Sequence, residues 1–211
     1  MNLEIFSDLI CPWCFIGKRR LDQALAVGDT AEGLNIIWRA YQLYPGIPYE
    51  GMARDEFMRL RFGSADVSKG RDQLRTEAAR VGIELNSGAR MPNTFKGHRL
   101  LHHARAAGVQ HDLADALFVA YFEQGLDVGE DKVLLDAAES VGMPRQETAD
   151  FLVSEAATDA VQAELTRAAN VGVSGVPCFL FAGAFALPGA QEPEVIRQVI
   201  ERAKTRLAES A

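Results

Sequence analysis

The chain is poor in cysteine, short of positive charge, and without a long apolar run. Cys11, Cys14 and Cys178 are its only cysteines in 211 residues, too few for a disulfide framework. Zinc needs about four ligands, and neither a second Cys-x-x-Cys nor a Cys/His finger spacing supplies the rest. With 22 basic against 29 acidic residues, the net charge is −7. The basic clusters that phosphate binding requires are missing, so no nucleic-acid partner is expected. No apolar stretch is long enough for a bilayer, and Met1 runs straight into an expected strand without a basic leader. A cytoplasmic protein with no membrane partner is therefore expected. There is no fixed repeat period, which argues against a solenoid. What the chain does have is 48% hydrophobic residues, enough for a sizeable core in one domain or one domain carrying an insertion.

The chemistry concentrates in Asp8-Leu9-Ile10-Cys11-Pro12-Trp13-Cys14. Leu3 to Phe6 reads as a short strand and Ile16 to Leu25 as an amphipathic helix. Cys11 then falls at the N-cap, with Pro12 at the first helical position, where proline is favoured. The Cys11 sulfur is expected against the free N–H groups of the first turn, the Cys14 amide among them, where the helix dipole favours a thiolate. A thiolate is the attacking species in disulfide exchange. Cys14 lies one turn further on the same side, within reach of a disulfide. Lys18 and Arg19 are candidates for added positive potential or for plain solvation. A lone Cys-x-x-Cys admits half a zinc site, inert core thiols or a redox pair; its place between strand and helix favours the redox pair.

After a polar break at Gly28 to Gly33, Leu34 to Ala40 reads as a second strand, making a βαβ unit with parallel pairing. Tyr44 to Gly51 is a turn-rich exit. From about Ala53 to Asn170 nearly everything reads as helix: Asp55 to Phe62, a helix capped by Ser68, a loop over Asn86 to Asn93, a helix capped by Asn93 or Thr94, then Asp112 to Gln124, Asp131 to Val141, Arg145 to Val153 and Thr158 to Ala169. Strands return at Val176 to Phe181 and Phe185 to Leu187, before a closing helix from about Pro193 to Leu207. The fold class is α/β: one sheet, built from 1–45 and 171–211, interrupted by a helical insertion over 46–170. Apolar faces on the insertion or last helix are either core or the contact of a homodimer.

Cys11-Pro12-Trp13-Cys14 together with Gly175-Val176-Pro177 resembles the thioredoxin superfamily, and the helical insertion is similar to its DsbA-like branch. Phe6 to Lys18, Met91-Pro92-Asn93-Thr94-Phe95, His98-Arg99-Leu100 and Gly172 to Pro177 resemble the FrnE-like group of that branch. The resemblance implies a thioredoxin fold with a large α-helical insertion and a protein disulfide oxidoreductase. It implies Cys11 and Cys14 as catalytic residues, and Val176 and a cis Pro177 against the disulfide as a docking edge. X-Pro is the one common site of cis peptides. Pro12, Trp13, Asn93 and His98 fall at positions implied to touch the substrate, a thiol or disulfide of protein or small-molecule origin.

Two departures stand out. Cys178 follows the proline where the family usually has an aromatic or aliphatic residue, and it is either a buried small side chain or a resolving thiol. Trp13 replaces the histidine that stabilises the thiolate in DsbA, which puts strong oxidising power in doubt. Asp8 is a proton relay or a plain loop carboxylate. His98, His102 and His103 lack the glutamate and third ligand of a metal site, and Gly172-x-x-Gly175 precedes a strand, unlike a dinucleotide fingerprint. No metal or cofactor is expected, with glutathione the candidate co-substrate. The rivals are a glutathione-dependent isomerase or transferase of the kappa-class/hydroxychromene-carboxylate isomerase type, and a binding module whose cysteines only pack.

Overall fold

The computed structural model describes residues 1–65, 67–86 and 88–209. Strand β1 (Asn2–Ser7) is buried from Leu3 onward, Leu3, Ile5 and Phe6 in apolar packing and Glu4 through ion pairs with Arg39 and Arg167. It pairs in parallel with β2 (Asn35–Ala40), after the crossover helix α1 (Pro12–Leu25), and antiparallel with β5 (Cys178–Phe181). β6 (Phe185–Pro188) completes a four-stranded sheet of order β2-β1-β5-β6.

Between β2 and β5 the chain forms β3 (Met52–Ala53), α2 (Arg54–Phe62), α3 (Ser68–Arg80), β4 (Arg90–Met91), α4 (Phe95–Ala104), α5 (Gln110–Phe122), α6 (Asp131–Ser140), α7 (Arg145–Val153) and α8 (Thr158–Asn170). The closing helix α9 spans Pro193–Glu209, so nine helices accompany the sheet among the described residues. The expected loop over 86–93 is corrected in part, since Arg90 and Met91 pair with Ala53 and Met52 as a two-stranded ribbon; Ser87 lies outside the described residues. The expected Ser68 cap is also corrected: Val67 occupies the cap position and Ser68 is the first helical residue. At α4 the Asn93 Oδ1 does accept the Phe95 N–H at 3.0 Å, one step before the cap residue Thr94.

Alternation along the strands divides the core. Leu3, Ile5, Phe179 and Phe181 face the layer of α1 and α9, whereas Phe6, Cys178 and Leu180 form a smaller cluster with Ala168 of α8. Helix α9 packs into the core through Ile196 and Ile200, both fully buried, while Val195 and Leu207 are exposed. Phe15 of α1 stacks on Phe118 and Phe122 of α5 at centroid distances of 5.4 and 6.0 Å, joining the helical block to the sheet layer. Pairs of this kind contribute about 0.5–1.5 kcal/mol beyond area burial.

A polar chain runs along the same seam. The Trp38 indole donates to His111 Nδ1 at 3.2 Å, which leaves Nε2 as the donor to Asp22 at 2.8 Å. Burial pushes the Asp22 carboxyl up, but hydrogen bonds from His111 and Lys18 outweigh it and hold the group below its ordinary value. Lys18 reaches Asp22 and Asp115 at 2.7 and 3.1 Å, and Arg19 reaches Asp115 at 3.0 Å. The positive potential expected from Lys18 and Arg19 is therefore corrected, because each cation is already neutralised by a carboxylate of its own seam.

Helix α1 approaches the β5 entrance closely. A Cβ on Gly17 would lie 3.0 Å from Pro177 Cγ and 3.4 Å from Phe179 Cζ. Gly17→Val is expected to lower stability by about 1–3 kcal/mol, the usual cost of overpacking, read from urea midpoints. An unchanged midpoint would show that the approach is looser than described.

Candidate active site

The site is built where β1 ends. The chain turns as the Cys11 N–H donates to the Asp8 carbonyl at 3.0 Å, and Pro12 opens α1 with Cys11 at its N-cap in extended conformation. One expectation is corrected here. The Cys11 sulfur does not cap the first turn; its thiol donates instead to the Val176 carbonyl at 3.5 Å. The Cys14 amide is already taken by the Cys11 carbonyl at 3.0 Å, so it is not free for the sulfur.

The Val176 carbonyl reaches the thiol because register pairs Phe6 with Cys178, which lays the two residues before Cys178 beside the end of β1. The Val176–Pro177 peptide is cis. The Pro177 carbonyl accepts the Gly189 N–H at 2.8 Å, tying this loop to the far end of β6.

Cys11 and Cys14 are both free thiols, and both are buried. Burial pushes the Cys14 thiol well above its ordinary value, and the neighbouring Cys11 pushes it further; the Ser7 hydroxyl and Asp8 backbone oppose this without overcoming it. The pair is thus asymmetric, with Cys14 the inner thiol. Cys178, one of the open alternatives, sits in the other core with Phe6 and Leu180, where burial raises its thiol. That face of the sheet is not the one carrying the dithiol, and there the Cys178 side chain packs against Phe6 and Leu180.

Asp8 is fully buried, accepting the Leu43 N–H at 2.8 Å and lying 3.5 Å from His98 Nε2. It ties the dithiol loop to the chain leaving β2. His98 is behind that loop rather than in front of it, at 3% exposure. Asn93 spends its amide on Ile47 and Phe95. The three histidines of α4 take separate partners: His98 meets Asp8, His102 bonds Glu164 at 3.2 Å, and His103 stacks on Phe151.

In front of the dithiol loop, a cavity of about 500 Å³ opens between α1, α2, α3 and α5. Of the residues expected beside the substrate, Pro12 and Trp13 line it; Asn93 and His98 do not. Sequence reading missed Arg54, Phe57, Tyr121 and Phe122, which form the opposite walls. Their positions in amphipathic helices look the same as ordinary core or surface, so the signal was absent. The Tyr121 hydroxyl lies 3.4 Å from the Arg90 carbonyl and from Met91 Sδ, and burial pushes its pKa up to about 12. It is a neutral donor at physiological pH.

Comparison with known proteins accords with this architecture. The description of the DSBA-like thioredoxin domain matches residues 2–201. A probable DsbA oxidoreductase from Streptomyces coelicolor is 31% identical, with a TM-score of 0.87 over 97% of this chain and 90% of that one. A hydroxychromene-carboxylate isomerase superposes with a TM-score of 0.74 at 20% identity, covering 100% of both chains. The cytosolic disulfide reductase DsbM of Pseudomonas aeruginosa, solved with glutathione, gives 0.70 at 17% identity over 99% of this chain and 100% of its own. These last two share the fold.

The raised Cys14 thiol makes a pH prediction. The folded reduced protein keeps a proton that the unfolded chain releases, so the stabilisation is complete below the unfolded thiol pKa of about 8.5. It is lost as pH rises through the folded value. Urea midpoints of the reduced protein should therefore fall with pH above about 8.5 more steeply than those of Cys14→Ala. Parallel curves would refute the assignment.

Proposed function

Because this chain belongs to the DSBA-like thioredoxin domain family, whose solved relatives include an oxidoreductase and an isomerase, we propose that it is a thiol-disulfide oxidoreductase working through Cys11-Pro12-Trp13-Cys14. The observation that carries the reading is the pair of free thiols, the outer one held at the Val176 carbonyl and the inner one kept protonated by burial.

The chemistry follows from that asymmetry. Cys11 as thiolate attacks one sulfur of a substrate disulfide, forming a Cys11–substrate disulfide and expelling the other sulfur as a thiolate, which takes up a proton from solvent. Cys14 then loses its proton and attacks the Cys11 sulfur. The Cys11–Cys14 disulfide forms, the second substrate thiolate leaves, and two electrons have passed from enzyme to substrate. A raised Cys14 thiol delays this second step until the mixed disulfide has formed beside it. Run in reverse, the same steps oxidise a dithiol. Val176 contributes its backbone as the docking edge for the substrate's extended segment.

The motif pattern from Phe6 to Lys18 and from Met91 to Leu100 supports placing the chain in the FrnE-like group. Glutathione is proposed as the thiol that returns the disulfide to the dithiol, a choice supported by the glutathione-bound fold relative. A reducing compartment such as the cytosol suits a chain whose three cysteines are all free. The presence of Cys14 beside Cys11 favours dithiol exchange over glutathione-dependent isomerisation, which needs no second thiol.

Cys11→Ser should lose disulfide exchange by about 100-fold or more. Cys14→Ser should instead accumulate the mixed disulfide, seen as added mass on the intact protein. Cys178→Ala should stay within about twofold of wild type, since its sulfur only packs. Undiminished exchange by Cys11→Ser would end the reading. Isomerase turnover that needs glutathione and survives in Cys14→Ser would put the isomerase in its place.

A further inference from the structure

The cleft in front of the dithiol carries a charge pattern opposite to that of the whole chain. The protein has a net charge of −7. Among the described residues that line the cleft, however, there are two cations, Arg54 and Arg71, and no carboxylate. Neither guanidinium has a carboxylate within ion-pair distance among the described residues. Other arginines of the chain are paired: Arg20 with Glu77, Arg39 with Glu4 and Glu164, Arg90 with Asp127.

Arg54 is the more telling of the two because it is half-buried. Its backbone is pinned by a 2.8 Å bond from its N–H to the Ala89 carbonyl, and its Nη1 reaches the soft Met91 Sδ at 3.7 Å. A half-buried guanidinium that, among the described residues, has a hydroxyl and a thioether beside it but no carboxylate keeps donors for an anionic partner. Bidentate carboxylate binding is the interaction its planar fork suits best. The remaining walls, from Trp13, Phe57 and Phe122, are apolar and aromatic, and the Tyr121 hydroxyl stands beside Arg54. At about 500 Å³ the space has the size of a small-molecule cleft.

We propose that this cleft selects small disulfides or thiols that carry a carboxylate on an aromatic or bulky apolar body, with the carboxylate on Arg54 and the sulfur presented to Cys11 past Pro12 and Trp13. The assignment rests on the oxidoreductase reading above for the fate of the sulfur, and the exchange chemistry is the one already written. What it adds is the substrate class: anionic and compact, with Arg54 as the residue that sets specificity and Arg71 as a weaker outer cation.

The test compares two probes on reduced protein. Dithiobis(nitrobenzoate) carries a carboxylate on each ring, whereas dithiodipyridine is uncharged. The readout is the ratio of their rates with the protein, divided by the same ratio for free cysteine. Wild type should favour the anionic probe, Arg54→Gln should cut the ratio about tenfold, and Arg54→Lys should recover part of it. Arg71→Gln should have the smaller effect. A wild-type ratio no greater than that of cysteine, or one unmoved by Arg54→Gln, overturns the proposal.

Binding of naphthoate to Cys11→Ser, followed by tryptophan fluorescence against naphthalenemethanol, separates the two readings. If naphthoate binds through Arg54 and the normalised preference for the anionic probe holds, but neither disulfide reacts faster than with cysteine, the oxidoreductase reading fails and the cleft assignment stands. If both disulfides react quickly without preference and naphthoate does not bind, the cleft assignment fails and the oxidoreductase reading stands.

Discussion

Everything at the site depends on β1 being hydrogen-bonded along both edges, in parallel to β2 and antiparallel to β5. A parallel neighbour sends the end of β2 to the same side of the sheet as the end of β1. An antiparallel neighbour brings the start of β5 to that side as well. Three separate chain segments therefore meet at Ser7 to Cys11: the loop it begins, the chain leaving β2 at Leu43, and the Val176–Pro177 entrance to β5. A slip of one residue in the β1–β5 register would turn Cys178 toward the dithiol layer and carry the Val176 carbonyl away from Cys11.

The groups around the dithiol do different jobs because burial treats them differently. Asp8 loses all exposure and ties the loop to Leu43, while its other oxygen lies 3.5 Å from His98 Nε2 without a hydrogen bond. The same burial keeps Cys14 in its neutral thiol form. In the α1–α5 seam burial is overridden, because Asp22 gains two donors that stabilise its charge. A buried ionisable group goes neutral or goes charged according to how many partners the packing brings. In the cleft in front of Trp13, the half-buried Arg54 guanidinium has no carboxylate beside it among the described residues.

Much of the local architecture was legible beforehand. The helix starting at Pro12 with Cys11 at its cap follows from residue types at fixed spacing, as do α7 and the return to strand before Phe181. The strand pair over Met52–Ala53 and Arg90–Met91 was not legible, since two residues carry no periodicity. Arg19 read as a source of positive potential or a solvated cation because Asp115, nearly a hundred positions away, is invisible to a local window. Asn93 and His98 matched a motif, but their side chains are turned to Ile47, Phe95 and Asp8, and so away from the cleft.

By itself the sequence determined the Cys11–Cys14 spacing at a helix start, the order of the four sheet strands and the main helices, and the interruption of the sheet by a helical block. These depend on neighbours a few residues apart, whose geometry the backbone dictates. Tertiary structure alone decided that the Cys11 thiol meets the Val176 carbonyl instead of a helix amide, that Cys178 faces the other core, and that Arg54 and Tyr121 confront Trp13 across a cleft. Each of those outcomes turns on strand register and on the approach of helices distant in the chain. Such relations are settled by the packing of the whole core, which no short stretch of residues contains.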